Sequence, residues 1–304
     1  MAQPTQLVSY HRQLSRRPGM WWRLFLSVVL GGLGLVVMSI VSAVVVLAGA
    51  SVLGYSFRLD TSDGIDAGEM LTANLGLALL IPLAAGLIKA VYSVPLRWLW
   101  SNRPGLRWRR LGQAAGVSAV VWSPFLVLGS IAAAASRSSP PGRGLIWFLV
   151  VVVLTTPLQA AGEECLFRGL LLQALGATRL STWACCLTSG VLFAVAHLQF
   201  APALFADRLL LGLVLAYLAI RTGGLEAGIA IHAVKNLAVL IPAGLLGSVS
   251  DALDPHGVSW LPLIVDVVLL AIAVSWILAL AARRDRHRRP DLPDGSSPAA
   301  APAS

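Results

Sequence analysis

Six side chains of this 304-residue chain lie in apolar runs where ionisable and amide groups are costly: Glu163, Glu164, Arg168, His197, His232 and Asn236. Glu164 and Arg168 are four residues apart with the acid first, the better order for an ion pair on a helix. That pairing gives Glu164 a structural task. Glu163 points about 100° away around the same helix and is expected to have no local partner. A carboxylate left alone in apolar surroundings has its charged form disfavoured and is suited to take a proton from water. His197 ends another apolar run and shares a helix face with Phe193, four residues earlier; His232 and Asn236 share a face in the same way. Taken singly, each group is more often a packing residue or an interhelical tie. Their occurrence together argues against a purely structural role.

Two routes to an activated water are open at this point. Glu163 can act as a general base. Alternatively, Glu163, His197 and His232 form a two-histidine, one-glutamate set of the kind that holds catalytic zinc, although no H-E-x-x-H motif is present. No cofactor is required by the sequence, and zinc is the one it admits. A serine mechanism has less to stand on. There is no G-x-S-x-G, and Ser189, two turns before His197, has no evident base.

These groups have to be positioned by helices in a membrane. Apolar residues make up 57% of the chain and charged residues 12%, with a mean hydropathy of +0.78; a soluble domain carries about a quarter charged residues. The apolar runs are continuous rather than alternating, which reads as helix, and only helices or closed barrels can cross a bilayer. Eight spans are expected: Leu24–Ala48, Leu71–Val94, Leu111–Ala135, Gly144–Leu175, Ser181–Leu198, Ala203–Ile220, Leu225–Leu246 and Trp260–Ala282. The first run is too long for the core of a signal peptide and is expected to remain as a span.

Arginine placement orients this bundle. With the N-terminus inside, the inner segments hold Arg12, Arg16, Arg17, Arg23, Arg97, Arg103, Arg107, Arg109, Arg110, Arg179, Arg221, Arg283, Arg284, Arg286, Arg288 and Arg289. The outer segments hold only Arg58, Arg137, Arg143 and Arg208, with the acids Asp60, Asp63, Asp66, Glu69, Asp207, Asp251 and Asp254. That asymmetry follows the positive-inside rule and places both termini in the cytoplasm. Trp21, Trp22, Trp98, Trp100, Trp108 and Trp260 fall near the borders, as interfacial aromatics do. The loop Arg97–Arg110 is expected to lie on anionic lipid of the inner leaflet. The net charge of +9 therefore reads as topology, not as nucleic-acid binding. The layout is a basic segment 1–20, a transmembrane domain 21–283 with the motifs within 146–246, and a basic, then disordered, tail 284–304. Two lysines against twenty-one arginines suggest a GC-rich bacterial genome and a bacterial cell membrane. Cys165, Cys185 and Cys186 read as small buried hydrophobes. Lys235, mid-span, needs a counter-ion, and Asp266 in the last span is the expected one.

The motifs Glu163-Glu164-x-x-x-Arg168, Phe193-x-x-x-His197 and His232-x-x-x-Asn236, in that order on successive spans, resemble those of the CAAX protease and bacteriocin-processing family (CPBP, also called ABI). The resemblance covers roughly Ile146–Leu246. It implies an all-α, eight-helix transmembrane bundle with an intramembrane polar cavity open to the cytoplasm, cleaving a peptide bond in a hydrophobic or lipid-anchored substrate. It also implies roles: Glu163 and His197 activate water, His232 and Asn236 stabilise an oxyanion or bind a metal, and Glu164, Arg168 and Phe193 support the site. A different class remains in view, a non-proteolytic maturation or immunity factor that binds hydrophobic peptides. A proton-coupled transporter would show internal repeats and broken helices in matching positions, and the sequence has neither.

Overall fold

A computed structural model of the chain describes residues 8–16, 20–54, 66–103, 105–136, 143–246 and 259–287. The expected loop charges Arg58, Asp60, Asp63, Arg137, Asp251 and Asp254, and the tail from 288, lie outside the described residues. The described chain is helical: a 3-10 helix Tyr10–Arg16, α1 Met20–Val52, α2 Ala67–Ala78, α3 Leu80–Tyr92, α4 Arg97–Trp100, α5 Trp108–Ala135, α6 Arg143–Glu164, α7 Leu172–Gly176, α8 Thr182–Ala196, α9 Pro202–Thr222, α10 Glu226–Leu246 and α11 Leu261–His287. A π-helical stretch, Cys165–Leu171, joins α6 to α7 without a break.

Seven helices among the described residues are long and apolar enough to cross a membrane, with α2–α3 and α6–α7 each counting as one. This is a multi-pass membrane protein. The expected fifth span is the exception: α8 has 15 residues, about 22 Å of helix against a hydrocarbon core of about 30 Å.

Local sequence explains where the elements break. Asp66 and Glu69 form a reciprocal capping box at the start of α2; they were expected as loop acids, and the structure uses them as a helix cap. Pro82 has no N–H and crowds the carbonyl of Ala78, so the α2–α3 span is interrupted at Leu79. Ser181 caps α8, Pro202 opens α9 at a first-turn position, and Gly223 closes α9 in the left-handed region at φ 73°.

Lipid gives helices little hydrophobic reason to associate, so close packing at small residues matters more. Gly190 of α8 and Gly212 of α9 touch backbone to backbone; a Cβ on Gly212 would lie 2.8 Å from the Gly190 Cα. Gly162 of α6 lies against the Leu77 carbonyl, leaving no room for a side chain. The α2–α3 break is thereby pressed against the helix that carries Glu163 and Glu164.

The basic N-terminal segment is more than a charged tail. Tyr10, His11 and Leu14 are buried. Tyr10 Oη donates to the Leu99 carbonyl at 2.5 Å, and Arg12 donates to the carbonyls of Gly176 (3.2 Å) and Leu180 (3.0 Å). The Gly176 carbonyl ends the α6–α7 rod, where a cation is favoured, and Leu180 lies in the turn that follows.

Candidate active site

The π-helical stretch begins one residue after Glu164. Its wide turn is visible in the Leu172 N–H, which donates to the Phe167 carbonyl five residues back. Such turns are rare and cluster at functional sites. Here it falls directly C-terminal to the glutamate pair, and no pattern in the residues announces it.

Glu164 and Arg168 form the expected ion pair at 2.8 Å, both fully buried. Arg168 also donates to the Gly212 carbonyl at 3.0 Å, and its guanidinium carbon lies 4.4 Å from the centre of the Phe193 ring. The Gly190–Gly212 contact brings that carbonyl within reach. Phe193 is a hub: its ring meets Phe167 edge-on at 5.1 Å, His197 at 4.7 Å and His232 at 5.7 Å. A side chain with no chemistry of its own thus sets the positions of both histidines and the arginine.

His232 bridges the two glutamates. Its Nδ1 donates to Glu164 Oε1 at 3.1 Å, while Nε2 lies 3.5 Å from Glu163 Oε2. With Nδ1–H committed to Glu164, the Nε2 of a neutral ring presents a lone pair to a carboxylate oxygen. That spacing calls for a proton or a water between them. Glu163 Oε2 and Glu164 Oε2 are buried and make no hydrogen bond among the described residues. Gly228 sits against Glu164 Oε2, where a Cβ would come within 2.8 Å.

One expectation needs correction. Glu163 does have a local partner: Gln159, one turn earlier on α6, donates to Glu163 Oε1 at 2.6 Å. Asn236 in turn donates to Gln159 Oε1 at 3.1 Å. Gln159 is the residue sequence reasoning missed, although a glutamine at i−4 on the face of Glu163 was a readable signal. His197 closes α8 and donates from Nδ1 to the Phe193 carbonyl at 2.8 Å, which leaves Nε2 as the free ring nitrogen of the neutral form. The histidine within ion-pair distance of Glu163 is His232, not His197. Among the described residues no three His, Cys, Asp or Glu side chains are disposed to hold a metal ion. Glu163, His197 and His232 do not fit zinc in this arrangement, and no step below runs through a metal. Ser189 is buried and donates to the Phe167 carbonyl at 3.3 Å, so its hydroxyl is engaged in packing. All three cysteines are free and buried.

A second charged cluster lies one turn along α10. Lys235 pairs with Asp266 of α11 at 2.9 Å, as expected, and also with Asp207 of α9 at 2.9 Å. Asp207 in turn holds Arg208 at 2.5 Å. Asp207 and Arg208, expected in an outer segment, therefore sit in the second turn of α9, and Asp207 is buried.

Fold and site define a polytopic helical membrane protein with a buried Glu–His–Arg cluster shared among α6, the π-helical stretch, α8 and α10. Residues 143–238 match the sequence model of the Rce1-like family, described as type II CAAX prenyl endopeptidase Rce1-like, and the family resemblance of the motifs holds for the segment that carries them. The chain is also 35% identical over 98 residues to a protein of Bacillus subtilis strain 168 whose name is uncharacterized protein YyaK. That match covers 30% of this chain and 33% of the relative, so the likeness spans about a third of either. No solved structure matches the chain.

Proposed function

We propose that the protein is an intramembrane endopeptidase that hydrolyses a peptide bond in a hydrophobic or lipid-anchored substrate with a water activated by Glu163. The observation that carries this reading is the convergence of Glu163, Glu164, Arg168, His232 and Phe193 in one buried cluster, inside the segment matched by a prenyl endopeptidase family.

In this reading a water sits against Glu163 Oε2, the oxygen without a hydrogen bond, with the free Nε2 of His197 on its other side. Glu163 takes one proton from the water as its oxygen adds to the scissile carbonyl carbon. The negative charge that develops on the carbonyl oxygen is met by Asn236, which gives one N–H to Gln159 and keeps a second, and by His232 in the form that carries a proton on Nε2, its Nδ1–H being given to Glu164. Such fixed donors are worth most in a site that excludes water. The C–N bond then breaks, Glu163 returns its proton to the leaving amine, the second proton of the water leaves through His197 Nε2, and the products are a new carboxylate and a new amine. Glu164, Arg168 and Phe193 hold His232 in register.

The same reading takes α8 as a short eighth span, so that both termini and the site's opening face the cytoplasm of a bacterial cell. The basic segment 1–20 and the tail 284–304 then lie outside the lipid on that side, next to anionic headgroups.

The test is cleavage of a library of prenylated and unmodified hydrophobic peptides by protein purified in detergent. Reaction in heavy-oxygen water should place one labelled oxygen in the new carboxylate. Glu163→Gln should lower the rate by about a hundredfold or more; full activity in that variant defeats the mechanism. Peptide retention without any cleavage by the wild type would instead support the non-proteolytic alternative.

A further inference from the structure

Lys235 is buried in the middle of α10 and has no part in the mechanism above. We infer that it is a positioning residue: its ion pairs with Asp207 of α9 and Asp266 of α11 hold α10 in the orientation that presents Asn236 to the substrate carbonyl. The inference rests on the proposed function, which gives Asn236 that task.

Cost is the first argument. An ammonium and two carboxylates inside a bilayer are expensive, and well-packed apolar residues of similar volume often give equal or greater stability. Stability alone does not call for this trio. What it supplies is direction, because a charged hydrogen bond fixes an angle as well as a distance.

Geometry is the second. Three carboxylate oxygens surround the Lys235 ammonium: Asp207 Oδ1 at 3.1 Å, Asp207 Oδ2 at 2.9 Å and Asp266 Oδ2 at 2.9 Å. They match its three N–H groups in number. Asp207 is held in turn by Arg208. The end of this long side chain is thereby tied to two helices at once.

Placement is the third. Lys235 and Asn236 are consecutive, so they stand about 100° apart around α10. On the Asn236 side, α10 is bonded to α6: Asn236 donates to Gln159 at 3.1 Å, and His232 Nδ1 donates to Glu164 at 3.1 Å. On the Lys235 side, it is bonded to α9 and α11. The turn His232–Asn236 is therefore gripped from two directions. Asn236 gives one N–H to Gln159, and the rotation of α10 decides where its second N–H points. A shift of about 1 Å in such a group can cost about a hundredfold in rate.

The test separates position from stability. The triple variant Lys235→Met/Asp207→Asn/Asp266→Asn removes every charge of the trio. Its unfolding temperature in detergent is measured beside its cleavage of a prenylated peptide. The expected result is a kcat about tenfold or more below the wild type, with KM within about twofold. Asn236→Ala should then lower kcat much less in the triple variant than in the wild type, because the two act through one group. A triple variant with wild-type kcat overturns the inference, as does an Asn236→Ala effect of equal size in both backgrounds. Should the triple variant fail to fold, Asp266→Asn, which leaves Lys235 on Asp207, should show a smaller fall in kcat of the same kind; wild-type kcat there overturns the inference equally. Full cleavage by Glu163→Gln would defeat the water-activation reading while these comparisons still stand. A readout without cleavage covers a wild type that cuts no peptide. Nitroxide labels on Leu158 of α6 and Val239 of α10, both exposed, should give one narrow distance by electron–electron double resonance in the wild type. The distribution should shift or broaden in the variant; an unchanged distribution overturns the inference.

Discussion

Asn236 donates to Gln159, not to a glutamate, across the α6–α10 contact at 3.1 Å. Because Gln159 in turn donates to Glu163 at 2.6 Å, one glutamine amide connects the amide on α10 to the candidate base on α6. Its oxygen accepts and its nitrogen donates, which fixes the amide orientation.

That chain predicts coupling. Gln159→Leu leaves Glu163 Oε1 and an Asn236 N–H unpaired, and should cost about 1–3 kcal/mol of transition-state stabilisation. Asn236→Leu should cost less in the Gln159→Leu background than in the wild type, with an interaction of about 0.5–3 kcal/mol. Peptide cleavage rates of the two single variants and the double variant measure it; strict additivity would show that the amides act independently.

Arg168 is a stability determinant before it is anything else. Removing it leaves Glu164 buried with His232 alone, and Arg168→Leu should cost about 3–5 kcal/mol. Arg168→Lys should recover only part of this, because an ammonium cannot reach Glu164 and Gly212 while lying flat on Phe193. Thermal unfolding in detergent orders the variants. A double variant, Glu164→Gln with Arg168→Leu, should unfold at a higher temperature than Arg168→Leu alone.

Much of this was legible in the sequence, and the reasons differ residue by residue. The i, i+4 spacing of Glu164 and Arg168 settles their pairing because helix geometry leaves no alternative. The Lys235–Asp266 pair was readable because a lone cation in an apolar span has to find an anion. The second anion, Asp207, was not, since it was grouped with the outer-segment acids even though the expected span Ala203–Ile220 contains it. The π-helical stretch was invisible because Cys165–Leu171 has the composition of an ordinary α-helix. Gln159 was passed over because a neutral amide in a span does not stand out as a charge does. The docking of Tyr10–Arg16 was hidden for the opposite reason: a short basic stretch reads as topology whether or not its tyrosine is buried.

Lys235 holds two carboxylates from two other helices. Lys235→Met should leave Asp207 and Asp266 facing each other without their shared cation, and lower the unfolding temperature more than either Asp207→Asn or Asp266→Asn. Neutralising all three together should recover much of the loss. Differential scanning fluorimetry of the four variants is sufficient; a Lys235→Met protein as stable as the wild type would show that the aspartates are served by Arg208 or solvent.

His11 gives the fold a pH dependence on its water-facing side. Burial, and then the neighbouring Arg12, push its pKa down from 6.5 to about 4. The folded state thus binds the proton less readily than the unfolded chain. The stabilisation is complete above about pH 6.5 and is lost as pH falls from there through about 4. Unfolding temperature should decline over that window, and His11→Gln should remove that part of the decline. An identical pH profile in His11→Gln would assign it elsewhere.

Arg12 reaches carbonyls 164 and 168 residues further along the chain. On the ribosome that partner surface does not yet exist when the N-terminal segment emerges, so Tyr10 and Arg12 have nothing to dock against until α7 has been made and inserted. The last fastening of the α6–α7 rod is therefore made by residues synthesised well before it. A fusion partner joined closely ahead of Tyr10 would compete with that closure even though it lies far in sequence from Glu163.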